Sequence, residues 1–559
     1  LILAGALALT TSPVVADEGM WMPSQIPELA PRLEKMGFHG DPEAFADLTG
    51  QPMGAIVWLG GCTASFVSPD GLIATNHHCA AGALQYNSTP ERNLLRDGFL
   101  AKTRAEEVSN GPGSQVWVTV SFTDVTDVIS AGIDTGLDDL ERHELIERRI
   151  KARTAECEKD GLRCKVASFF EGLEYYELAQ LEISDVRLVY APAEGIGNFG
   201  GETDNWRWPR HTGDWSFYRA YVGPDGNPAP YSKDNVPYRP KHWLKVQPNG
   251  VADGDCVFVV GYPGKTQRHF TYEEVKTIVD WTYPSTVRRY EELIAILEEL
   301  GSGDEALRLK ASGLLRALHN YRTNRQGMLE GLVDGGILAQ KEKDQTSLAE
   351  WIAADPQRQK TYGHVLPALA ALEEATVATR QRDEIMDVLL PSLSRRTRAT
   401  LNRLVTSAHT ARLIAEARGQ EDEDRERGLQ ERDWAVIRQV QERMQHSLDP
   451  RIDRALVRWA FLRAASLPAE QRIEAIDKLV GLTPGMVEAD STQAIDAWLD
   501  KAYAATEMAD EEFRLSLFGM TAAELDAVTD PFMDLAAALD PLYRATRETE
   551  SRAEGAKSR

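Results

Sequence analysis

Two short stretches of this chain concentrate the side chains that can do chemistry. The first is GGCTASFVSPDGLIATNHHCA, Gly60 to Ala80. Ala64 to Val67 and Leu72 to Thr75 have the texture of strands, and Ser68-Pro69-Asp70-Gly71 between them is a turn sequence. Cys62 and Cys79 then fall at the open end of a hairpin, where a bridge would close it. His78 directly precedes the second cysteine, at a strand end. An imidazole pinned in this way suits a general base, which needs a fixed position. His77 is the adjacent alternative and reads as support. The second stretch is GNFGGETDNWRWPRHTGDWSFYRAYVG, Gly197 to Gly223, dense in Trp, Arg, His and Asp. A strand, Trp215 to Val222, begins directly after Asp214, and a carboxylate in that place can orient an imidazole. Asp204 competes for the role, and either aspartate can instead pair with Arg207 or Arg210 in a loop.

The elements that must position these groups show in the texture of the chain. From about Trp21 to Thr271, short β-type runs alternate with turn residues: Ala55 to Trp58, Ala64 to Val67, Leu72 to Thr75, Val116 to Phe122, Arg187 to Tyr190, Trp215 to Val222 and Cys256 to Val260. Such spacing predicts a β-barrel, interrupted by a charged helix over about Asp138 to Ala155. From about Tyr272 to the end the pattern is helical. Leu429, Trp434, Ile437, Val440 and Met444 recur at helical spacing, and Glu421 to Arg427 reads as a solvated face or loop. With 559 residues, two or more domains are expected.

Composition narrows the class further. At 43% hydrophobic and 26% charged residues the chain is globular, and its formal net charge of -24 argues against a nucleic-acid partner. Leu1 to Ala16 reads as the apolar core and cleavage site of a signal peptide, without the methionine and basic start such a segment carries. No other run reaches the ~20 apolar residues of a membrane span. Export to an oxidising compartment permits disulfides. Cys62 with Cys79 and Cys157 with Cys164 are plausible pairs, and Cys256 is left as a buried thiol. The absence of a Cys-x-x-Cys pair or a His-x-x-x-His helix speaks against zinc. No other metal and no cofactor is implied.

Three segments, GGCTASFVSPDGLIATNHHC, NFGGETDNWRWPRHTGDWSFYRAY and GDCVFVVGYPGKT, resemble the dipeptidyl-peptidase 7 and 11 family, serine peptidase family 46. The resemblance covers nearly the whole chain. It implies an α+β multidomain fold, a chymotrypsin-like double β-barrel interrupted by a large all-helical domain. The expected division is 17–271 for the barrel part and 272–559 for the helical cap. The resemblance also implies release of dipeptides from the free N-terminus of oligopeptides, by a homodimer in the periplasm or at the cell surface. The family histidine falls on His78 and the family aspartate on Asp214. The residues that bind the substrate N-terminus fall on Asn205, Trp206 and Asn320, with Asn324 as the alternative to Asn320. Amide oxygens can accept the N–H bonds of an ammonium, at about 1.5–3 kcal/mol for each charge-assisted bond.

One part of the family pattern is missing. The nucleophile belongs to a Gly-Asn-Ser-Gly type segment after the helical domain, and no Gly-x-Ser-Gly occurs in the sequence. Ser65, Ser216 and Ser302 sit in the wrong contexts. The expectation is that the serine, the closing strands of the second barrel, the oxyanion-hole amides, the acidic partner of the substrate amine and the residue that sets the second-position preference lie beyond Arg559. A non-catalytic peptide-binding protein, keeping the amine pocket without the nucleophile, is the competing reading. An ordinary trypsin-like endopeptidase is disfavoured by the helical half and the Asn-Trp pair. The preference for an acidic or a hydrophobic residue at the second substrate position is not written in these residues.

Overall fold

The computed structural model describes residues 19–558 apart from 90, 134–135, 160, 265–268 and 394–400. The segment read as a signal peptide lies outside the described residues. Eleven described strands are β1 (Ile56–Trp58), β2 (Thr63–Phe66), β3 (Leu72–Thr75), β4 (Phe99–Leu100), β5 (Val108–Ser109), β6 (Val116–Asp124), β7 (Arg163–Phe169), β8 (Glu174–Ile183), β9 (Asp185–Ala191), β10 (Ser216–Val222) and β11 (Val236–Pro237). They form one sheet in the order β4-β9-β10-β3-β2-β1-β6-β8-β7, with β5 joined to β9 and β11 to β10. No described strand pairs the β4 edge to the β7 edge. Among the described strands the sheet is therefore open and antiparallel, and it is combined with many helices.

The β2–β3 hairpin forms because its turn is chemically specified. Ser68 Oγ accepts from the backbone N–H groups of Asp70 and Leu72, each at 3.2 Å. Gly71 takes φ +69°, and a Cβ there would lie 2.7 Å from the Tyr238 carbonyl oxygen, so only glycine fits. Alternate residues of the strands point inward, and Phe66 and Ile73 are wholly buried with Val57, Leu84, Leu188 and Tyr218. The register that matters for function pairs Thr75 with Ser216 and Leu72 with Arg219 across β3 and β10. The residues just after β3 and just before β10 are thereby brought to the same end of the sheet.

Two expectations fail around Cys256. The run Cys256 to Val260 is not a strand, because a strand exists only where a neighbour takes its backbone hydrogen bonds, and no described strand lies beside it. Val257 and Val259 are exposed as a result, and Cys256 is a free, half-buried thiol rather than a core residue. A third correction concerns Glu421 to Arg427, which is not solvated throughout. Arg425 is buried, donating from Nε to the Ala417 carbonyl at 2.8 Å and from a terminal nitrogen to Asp422 at 2.6 Å.

The described residues from Tyr272 onward contain helices and no strands. Their shared core includes Leu293, Leu297, Leu404, Leu456, Phe461 and Phe532. The longest helix, Glu305–Asp334, starts on Asp304, whose side chain accepts from the Leu307 N–H. The helix inserted in the sheet half, Asp139–Glu158, opens with a capping box between Asp138 and Glu141. The last helix, Pro531–Lys557, packs against it. Arg142 donates to the Ser558 hydroxyl and carbonyl, and a Cβ on Gly555 would stand 1.8 Å from the Asp139 carbonyl oxygen. Gly555→Ala is accordingly expected to force the two helices apart and to lower stability by about 1–3 kcal/mol, as overpacked contacts do. Urea denaturation measures this, and an unchanged midpoint would mean that the close crossing is not made in solution.

Candidate active site

Asp214 lies at the centre of the polar contacts at the end of β3 and β10. Its Oδ2 is 2.9 Å from His78 Nδ1, and its Oδ1 accepts from the His78 backbone N–H at 3.0 Å. Asn76 Nδ2 donates to the same carboxylate at 3.1 Å, and to the Asp214 carbonyl at 3.1 Å. His78 is not at a strand end but in the first turn of a helix, His77–Tyr86, that follows β3. That helix has no side-chain cap of its own, so Asp214 satisfies one of its orphan N–H groups from another segment. Cys79, one residue on, is disulfide-bonded to Cys62, with Cα atoms 6.3 Å apart. Cys157 and Cys164 form a second disulfide, with Cα atoms 6.1 Å apart, between the Asp139–Glu158 helix and β7. Cys62, Cys79 and His78 stand close enough to suggest metal ligands, but the two sulfurs are bonded to each other.

The electrostatics decide which nitrogen of His78 is free. Burial alone pushes the Asp214 carboxyl up, but the hydrogen bonds from the His78 ring and backbone outweigh it. With the His78 and Arg210 charges, the net effect holds Asp214 below its ordinary value of 3.8. An ionised carboxylate only accepts, so His78 Nδ1 carries the hydrogen, and in the neutral ring Nε2 holds the lone pair. The His78 side chain is 61% exposed, so that lone pair can reach a reacting group. His77 is different in kind. It is buried, with Nε2 unpartnered among the described residues. Burial is the main cause that lowers its pKa, which keeps the ring neutral. Its ring packs against Gly197, where a Cβ would come within 2.3 Å of the imidazole.

A second polar cluster sits on the same loop. Asn320, on the Glu305–Asp334 helix, accepts at its Oδ1 from Asn205 Nδ2 at 3.0 Å and from Trp206 Nε1 at 3.1 Å. Asn324, the alternative, instead accepts from Arg325 at 3.3 Å. Trp206 has φ +61°, a strained backbone for so bulky a residue, of the kind that gathers at functional sites. The loop between this cluster and Asp214 is tied down. Thr212 Oγ donates to the Phe199 carbonyl at 2.8 Å, and the Gly213 N–H donates to the Ile196 carbonyl at 2.9 Å. The Asp204 carboxylate lies against Gly200. Asn76, Glu202 and the Arg316–Glu194 pair (3.6 Å) escaped the reading of the sequence. Of these, Glu202 carries a visible signal, since it stands three residues before Asn205 in a helical turn.

An exposed, carboxylate-held histidine on a mixed helical and antiparallel fold suits general-base chemistry, and the comparisons place the chain among the peptidases. It belongs to the Peptidase S46 family, whose model matches residues 16–559. It is 38% identical over 556 residues to an Asp/Glu-specific dipeptidyl-peptidase of Shewanella putrefaciens, spanning 99% of this chain and 73% of that one. It is also 38% identical over 374 residues to dipeptidyl-peptidase 7 of Capnocytophaga gingivalis, where it covers 52% of the relative's length. Among solved structures, Porphyromonas endodontalis DPP11 in complex with the dipeptide Arg-Glu matches with a TM-score of 0.74 at 26% identity. That match covers 97% of this chain and 76% of the other.

The Asp214 contacts make a pH prediction. A carboxyl depressed in the folded state contributes stability that is complete above its unfolded pKa and is lost as pH falls through the folded value. Wild type should therefore exceed Asp214→Asn in thermal stability by a constant margin at neutral pH. The margin should shrink only below pH 3.8. A margin that is already closing near pH 6 would show that the depressed Asp214 carboxyl does not govern the difference.

Proposed function

We propose that this chain carries the base and the orienting carboxylate of a serine dipeptidyl-peptidase, which releases dipeptides from the free N-terminus of oligopeptides. The observation that carries the reading is the 2.9 Å contact between His78 Nδ1 and Asp214, made by an exposed ring with Nε2 open. In the proposed reaction His78 Nε2 takes the proton of a serine hydroxyl as it attacks the scissile carbonyl. His78 then returns that proton to the leaving amine, while Asp214 holds the tautomer and stabilises the imidazolium. The nucleophile in this proposal lies outside the 559 residues. Ser216 is buried and its hydroxyl donates to the Asn76 carbonyl at 2.8 Å, so it is not available to attack.

Asn205, Trp206 and Asn320 are proposed as the pocket for the substrate N-terminus, since their side chains meet one another and two of them belong to the stretch that also carries Asp214. The names of the relatives, dipeptidyl-peptidase 7 and Asp/Glu-specific dipeptidyl-peptidase, favour oligopeptide substrates. They leave the preference at the second residue open between acidic and hydrophobic. The same proposal includes the double-barrel arrangement, a barrel part over 17–271 and a helical cap over 272–559, a homodimer, and a periplasmic or cell-surface location. Two disulfides suit an oxidising compartment. Among the described residues no helix is long and apolar enough to cross a membrane.

The test assays the full-length gene product and residues 17–559 on dipeptidyl reporters with free and blocked amines. The full-length protein should cleave only the free-amine reporter, and Asp214→Asn should lower turnover by about 10⁴-fold. The shorter chain should show no turnover. Cleavage by residues 17–559 would place the nucleophile within them. A full-length protein that binds peptides but never cleaves them would favour a peptide-binding protein instead.

A further inference from the structure

Asparagine is among the best residues for starting a helix, because its side-chain oxygen can accept an orphan N–H of the first turn. Asn76 stands in that position ahead of the His77–Tyr86 helix, with an extended backbone at φ -76° and ψ 155°, yet its side chain makes no cap. Both hydrogens of its Nδ2 go instead to residue 214, one to the carbonyl and one to Oδ2, each at 3.1 Å. The His78 N–H is capped by Asp214 Oδ1, at 3.0 Å. The two side chains have exchanged duties. Turned the other way, the amide would set its oxygen against the oxygens of residue 214, so charge fixes its sense. The main chain of Asn76 is anchored as well, since the buried Ser216 hydroxyl donates to its carbonyl at 2.8 Å.

We infer that Asn76 is a positioning residue for the base, acting through the Asp214 carboxylate. The terminal torsion of an aspartate is broad, so the carboxylate needs more than one partner to hold a single angle. Asn76 grips residue 214 at two points, the carboxylate and the carbonyl behind it, and so fixes that angle. The His78 ring and the Asn76 amide share Oδ2. The amide takes part of the negative charge there, and the acid then orients the imidazole without binding its proton too tightly. Asn76 is exposed, so core packing does not account for an amide at this position, and neither does helix capping. The inference rests on the reading of His78 and Asp214 as base and orienting carboxylate.

The experiment follows turnover of a free-amine dipeptidyl reporter against pH for the full-length protein, Asn76→Ser and Asn76→Asp, with Asp214→Asn as control. Serine and aspartate cap helices about as well as asparagine, so melting temperatures should stay near that of wild type. Neither can donate to Oδ2, because serine is too short and an ionised aspartate has no hydrogen to give. The kcat should fall about tenfold in Asn76→Ser and about a hundredfold in Asn76→Asp, where the new carboxylate repels the old one. KM should stay within about twofold. The acid limb of the kcat/KM profile, which reports the base, should move to higher pH in both variants and further in Asn76→Asp. Negative charge that no donor offsets favours the imidazolium, and a residue needed only to start the helix would leave the limb in place. Wild-type kcat and an unmoved limb in Asn76→Ser would overturn the inference. Wild-type kcat in Asp214→Asn would instead sink the reading of Asp214 as the orienting carboxylate.

Discussion

The arrangement depends on a single carboxylate that answers two demands at once. Asp214 accepts from the ring and the backbone of His78 and from the side chain of Asn76. It therefore caps a helix, fixes a tautomer and joins two segments that are more than a hundred residues apart in sequence. The pairing of Thr75 with Ser216 delivers those segments to one another. The Cys62–Cys79 disulfide then limits how far the helix carrying His78 can drift from the hairpin behind it. Sheet register gives the coarse position, and charge and hydrogen bonding give the fine one. A slip of one residue in β10 would turn every side chain to the other face and take Asp214 from its partners.

The two adjacent histidines show how burial separates roles that sequence alone leaves confounded. His78 is open to solvent and held by a charge, so it can exchange a proton. His77 is enclosed and pressed onto Gly197, and burial favours its neutral form. Near them, Arg316 and Asn320 stand one turn apart on the Glu305–Asp334 helix. They reach Glu194 and the Asn205–Trp206 pair respectively. One face of one long helix thus touches the loop on both sides of the His77 contact.

Much of this was legible where local chemistry and tertiary context agree. The β2–β3 hairpin could be read because Ser-Pro-Asp-Gly specifies its turn, and the meeting of His78 with Asp214 because one closely follows a recognisable strand and the other closely precedes one. The β7–β8 hairpin was missed. Glu174–Ile183, EYYELAQLEI, is rich in helix formers, and its strand conformation comes from pairing with β6 on one side and β7 on the other. The Cys256 run failed in the opposite sense. Its β-forming residues are all present, and what it lacks is a neighbour. His78 was placed at a strand end because the hairpin dominated the local pattern, while the helix start at His77 depends on a cap from residue 214 that no local window contains. Glu202 and Asn76 went unread because each acts on a side chain already singled out, and sequence does not show which way an amide is turned.

The tethered loop has a consequence for how the length of a product would be set. Asn205, Trp206 and Asp214 belong to one continuous stretch, locked to residues 196–199 by Thr212 and Gly213. If one end of that stretch holds the substrate amine and the other aligns the base, the gauge between them is a local object. Most of it is cut from a single loop, with Asn320 of the helical half closing the amine end. Lengthening or shortening residues 207–211 would then recalibrate the gauge itself. The unit of peptide removed would change while the machinery at either end stayed the same, so product size is open to evolution, or to engineering, by insertion and deletion at one short site.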